Sequence, residues 1–114
     1  MYIIKTNLEE RILVAQIMPQ QGNYIDNLVN TALSKKLEIK NDELDEYEIT
    51  SYESGFISLN EKGKTKIFEI ELTDREYDFL KRALQTASDK GILPIRLMSL
   101  FITICKPEPP EDLK

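Results

Sequence analysis

The chain has 114 residues, 41% hydrophobic and 31% charged, with a net charge of −5, no His, no Trp and one Cys. That length suits one domain, and the apolar share suffices for a core without disulfides or metal, so a disordered chain and a stapled mini-protein are both excluded. Without imidazole, the usual zinc ligand sets and the Ser-His-Asp and Cys-His nucleophile systems cannot be assembled within one chain, and neither a catalytic residue, a cofactor site nor a metal site is assigned. An enzyme here has to run on Asp, Glu, Lys, Tyr or Ser.

Met1 to Thr6 carries no basic leader and no apolar stretch of signal-peptide length. The single thiol, Cys105, has no partner in the chain, which points to a reducing compartment, and the cytoplasm is the expected location. The longest apolar stretch, Ile92 to Cys105, is broken by Arg96 and is shorter than the roughly 20 residues that cross a bilayer. No membrane association is expected.

Taken in chain order, residues 2–6 read as a strand. The apolar run 11–18 reads as a second strand, although Asn7 with Glu10 three residues on also spells a capping box that opens a helix. Pro19, Gly22 and Asn23 break the pattern. Ile25, Leu28, Val29, Ala32 and Leu33 then recur at spacings of three and four, predicting a helix over 24–37.

Between Glu38 and Glu53 stand seven acids, Glu38, Asp42, Glu43, Asp45, Glu46, Glu48 and Glu53, against Lys40 alone, a local net of −6. Since the whole chain carries −5, the remaining residues sum to +1. One segment supplies the imbalance. It is either a solvated face that confers solubility or an electronegative docking surface. Tyr47 and Tyr52 lie inside it with Leu44 and Ile49 nearby, a composition that gives a contact surface an apolar anchor and an acidic rim.

Three runs follow, 47–53, 56–60 and 65–72, separated by Ser54-Gly55 and by a turn containing Gly63, and they read as an antiparallel meander. Phe68, Ile70 and Leu72 alternate with Ile67, Glu69 and Glu71, so one sheet face is covered and the other wet. Lys62, Lys64 and Lys66 would guard that hairpin edge against foreign strands. A capping box, Thr73 with Glu76, and a staple of Leu72 and Tyr77 open a helix over 74–90, which Gly91 ends. In 93–106, Arg96, Ser99, Thr103 and Lys106 follow at three, four and three and share one sector of a helical wheel. The apolar arc that remains is wider than one sheet contact needs. Pro107 stops this helix, and 107–114 is expected to be a disordered tail.

The predicted fold is thus α+β: a single domain over 1–106, with an antiparallel sheet (2–6, 11–18, 47–53, 56–60, 65–72) packed on helices 24–37, 74–90 and 93–106. Gly63-Lys64-Thr65 is no P-loop, because Ser58 stands where that motif has its first Gly. Glu38-Ile39-Lys40 matches only half of a metal-nuclease site, and its neighbouring acids lack calcium-loop spacing. The two last helices resemble a DNA-reading pair in outline, but only Arg96 and Lys106 are cationic in the second, so direct nucleic-acid binding is not expected.

The functional expectation is a non-enzymatic interaction module, an inhibitor or immunity-type factor that docks Asp42, Glu43, Asp45, Glu46, Tyr47, Glu48, Tyr52 and Glu53 on a basic, nucleic-acid-binding protein. The alternative is a homo-oligomeric subunit that associates, as a dimer for example, through Leu97, Phe101 and Ile104 of the last helix.

Overall fold

In a computed structural model, described here for residues 1–51 and 57–113, a short antiparallel ladder lies against a set of helices. Strand β1 (Tyr2–Thr6) leads into helix α1 (Leu8–Ile17), then α2 (Tyr24–Leu37) and α3 (Asn41–Glu46). Two-residue strands β2 (Thr50–Ser51) and β3 (Ile57–Ser58) follow, then α4 (Glu61–Thr65), β4 (Phe68–Leu72) and α5 (Asp74–Asp89). A 3-10 turn (Ile95–Leu97) runs into α6 (Met98–Cys105). The predicted class, α+β with an antiparallel sheet on helices, is the observed one, and the sheet is smaller than expected.

The run 11–18 is not a strand but most of α1. The Asn7 side chain accepts the Glu10 N–H at 2.7 Å and the Glu10 carboxylate accepts the Asn7 N–H at 2.9 Å, so the capping box forms in full. Two satisfied backbone donors at the helix start outweigh the weak strand preference of Ile12, Val14 and Ile17. Leu8, Arg11, Val14 and Met18 then turn inward at helical spacing.

The meander is also replaced. Strand β4 pairs with β1, from Tyr2 opposite Leu72 to Thr6 opposite Phe68, while β2 and β3 form a separate hairpin. Residues 61–65 belong to a helical turn because the Asn60 side chain caps the Gly63 N–H at 2.8 Å. The three lysines accordingly guard no hairpin edge: Lys62 pairs with Glu46, Lys64 with Glu61, and the Lys66 ammonium lies 5.7 Å from the Phe68 ring centre. Within β4 the predicted alternation holds, with Leu72 buried, Phe68 and Ile70 half-buried, and Glu69 and Glu71 exposed.

Helix α2 has the predicted bounds. Helix α5 opens on the Thr73–Glu76 capping box and closes before Gly91, which adopts φ 71° in the left-handed region. The core gathers Leu8, Val14, Leu33, Leu37, Leu72, Leu80, Leu84 and Leu97, all at or near full burial. Lys36 ties three elements together, because its ammonium reaches the Glu71 carbonyl of β4 at 2.9 Å and the Glu76 carboxylate of α5 at 2.6 Å. Burial pushes the Glu76 carboxyl up, but the hydrogen bonds from Lys36 and Thr73 outweigh it and hold the group below its ordinary value. No helix among the described residues is long and apolar enough to cross a membrane. In the last segment, Glu111–Leu113 forms a 3-10 turn.

Candidate functional site

Part of the acidic segment is helical rather than an open loop. Asn41–Glu46 forms α3, a helix too short to persist alone in water. Its anchor is Arg11, a buried side chain of α1. The guanidinium grips Glu43 through both carboxylate oxygens, at 2.8 and 3.1 Å, and donates to the carbonyls of Leu37 at 3.1 Å and Glu38 at 2.6 Å. The end of α2 and the body of α3 are thereby tied to one cation.

Glu43 also accepts the Lys40 N–H at 3.1 Å, which satisfies a donor at the start of α3. The Arg11 hydrogen bond holds its carboxyl below the ordinary glutamate value against the opposing effect of burial. The guanidinium also lies 4.9 Å from the centre of the Phe68 ring, so α1, α3 and β4 meet here.

The aromatic of the segment faces the same way. Tyr47 is 4% exposed and meets the Phe68 ring edge-on at 6.1 Å. Its carbonyl accepts the Asn60 N–H at 3.0 Å, and the Asn60 side-chain amide donates to the Glu46 carbonyl at 3.0 Å. Glu46 in turn pairs with Lys62 at 2.6 Å. An open cleft of about 380 Å³ separates α3 from β4, with Lys36, Lys40, Asp42 and Glu69 at its rim.

The structure therefore divides the predicted docking residues. Asp42, Asp45 and Glu48 are exposed and have no ion-pair partner among the described residues, and Glu38 lies exposed just before them. Glu43 is committed to Arg11, Glu46 to Lys62, and Tyr47 to the core, so Tyr47 is no surface anchor. Tyr52 and Glu53 lie outside the described residues. No family model, curated protein or solved structure matches this chain.

The residues assigned to self-association are placed differently from the expectation. Leu97, Phe101 and Ile104 are 0%, 8% and 3% exposed and belong to the core, while Ile95, Met98 and Ile102 take the outward arc. The wheel is as wide as predicted, but its inner half is already occupied by α1 and α5.

Among the described residues no three His, Cys, Asp or Glu side chains converge in a metal-holding group. The Cys105 thiol contacts the Lys81 carbonyl at 3.6 Å, and burial raises its pKa, which lowers its thiolate content. Sequence reasoning missed the Arg11 anchor, although a signal was present. A cation at the head of an apolar run has to find acceptors if the run is buried.

Proposed function

We propose that this chain acts by binding another protein, with the outer face of α3 as the docking surface for a basic, nucleic-acid-binding partner. The observation that carries the reading is the division of labour in and just beyond one acidic helix: Glu43 fixes it to Arg11, while Asp42 and Asp45 on it and Glu48, two residues past its end, are exposed with no ion-pair partner among the described residues. Carboxylates on a fixed element can stand in for the phosphates that a cationic groove receives, and they steer association over a Debye length. An inhibitor or immunity-type factor works in this way. The cytoplasm is the compartment we assign, on the lone thiol.

The test is retention of proteins from the host extract on the immobilised chain, compared with the Asp42→Asn, Asp45→Asn, Glu48→Gln triple variant. A basic protein held at low salt, released at high salt and lost from the triple variant is expected. With the purified partner, the variant should associate about tenfold more slowly at low salt. Failure to retain any basic protein, or equal association rates for the two chains, rejects the reading.

A further inference from the structure

The β1–β4 ladder has two edges, and they are unlike. Along β4, Lys36 of α2 caps the Glu71 carbonyl at 2.9 Å, and both α2 and α5 pack beside the strand. Along β1, no group among the described residues outside β4 hydrogen-bonds the backbone of Tyr2 to Thr6. Ile4 and Thr6 point into the core, the Tyr2 ring stacks on Tyr77 and stays 44% exposed, and on the opposite face Ile3 is 63% exposed beside Lys5, the one charge of the strand. Strands that must stay solitary are guarded more heavily than this.

The parity of the ladder follows from Lys36. The Glu71 carbonyl is directed at α2, so the Ile3–Glu71 pair is of the non-hydrogen-bonded kind, and so is Lys5–Glu69 two positions along. The N–H and C=O groups of Ile3 and Lys5 therefore face away from β4. These are the groups that a further strand would use.

We propose that this edge pairs with β1 of a second copy of the chain, antiparallel about Ile4, joining two ladders into one four-stranded sheet. In that register Ile3 stands opposite Lys5 of the second copy, and the two such pairs exchange four backbone hydrogen bonds. The stem of each Lys5 covers the exposed Ile3 facing it, with Glu69 opposite Lys5 in its own ladder. Ile4 meets Ile4 on the buried face.

The neighbouring registers are worse. A slip of two residues in one direction sets Lys5 against Lys5, and in the other it leaves a single hydrogen-bonded pair, Ile3 with Ile3. A slip of one residue sets the outward groups of Ile3 and Lys5 opposite residues whose N–H and C=O already face β4, and the pairing fails.

Sedimentation over a wide concentration range, with amide exchange read at Ile3 and Lys5, tests the pairing. The wild-type chain should dimerise, and those two amides should slow as concentration rises. Ile3→Lys leaves the backbone untouched and sets cations opposite Lys5. Lys5→Pro removes an outward N–H that β4 does not use. Each should raise the dimer dissociation constant about tenfold or more while circular dichroism is unchanged, and Ile3→Lys decides the matter if Lys5→Pro disturbs folding. A chain that remains monomeric at the highest concentration, with exchange at both amides independent of concentration, overturns the proposal. So does a dimer that survives Ile3→Lys but is broken by Ile102→Asp, which would put the contact on α6, and so does a mixed complex in which a different protein's strand occupies the edge.

Discussion

Arg11 performs a task that no shorter or uncharged residue could take over. Four of its N–H donors serve two carbonyls and one carboxylate in a buried position, and truncation to Ala would leave the Glu43 charge without its cation and remove the donors of the Leu37 and Glu38 carbonyls. Breaking a buried pair from one side costs about 3–5 kcal/mol, and Arg11→Ala should lower the urea midpoint by the corresponding amount. The Glu43 carboxyl has a lowered pKa in the folded chain, so its stabilisation is complete above the ordinary glutamate value and is lost as pH falls through the lower, folded value. Unfolding midpoints followed on acidification should fall in that window for the wild type. Glu43→Gln should start lower and show a flatter acid limb, and an unchanged limb in that variant would mean that Glu43 does not carry the effect. The need for a partner at Arg11 was visible in the sequence. The identity of the partner was not, because 32 residues separate the two and no local rule connects them.

At the level of elements, helices announced themselves through their caps. Thr73–Glu76 and Asn23 mark α5 and α2 where the periodicity also places them. Where cap and composition disagreed, the cap prevailed: Asn7 opened a helix on β-branched residues, and Asn60 opened one inside what had read as a hairpin turn. A cap satisfies backbone donors outright, whereas side-chain preference contributes only tenths of a kcal/mol per residue. Gly63 in α4 shows what the second of these helices depends on. A Cβ there would lie 3.0 Å from the Tyr47 Cβ, 3.3 Å from the Asn60 side-chain oxygen and 3.4 Å from the Leu59 Cβ. Ala should favour the helix by about 1 kcal/mol on propensity alone, but forced overpacking of this kind costs about 1–3 kcal/mol. Gly63→Ala is therefore expected to lower the melting temperature. A rise would show that α4 can move off Tyr47 at little cost.

For the whole molecule, the sheet was the part that local pattern could not supply. Each strand's inward face was readable from alternation, but the paired residues of β1 and β4 stand 62 to 70 positions apart, and their pairing is set by how α1, α2 and α5 fill the space between them. The last helix shows the same division. Its apolar arc is legible as a width, while the half that faces inward depends on where α5 and the Ile95–Leu97 turn sit. That placement makes adjacent residues unequal. Phe101 is 8% exposed within the core and Ile102 is 52% exposed beside it. Phe101→Ala removes a ring from packed surroundings and should cost about 3–5 kcal/mol. Ile102→Ala removes surface that is already wet and should stay within about 0.5 kcal/mol. Urea unfolding of the two variants side by side reads the difference directly, at a concentration low enough that self-association does not contribute. Equal costs would mean that α6 is rotated about its axis from the orientation described, and the outward arc of Ile95, Met98 and Ile102 would then have to be reassigned with it.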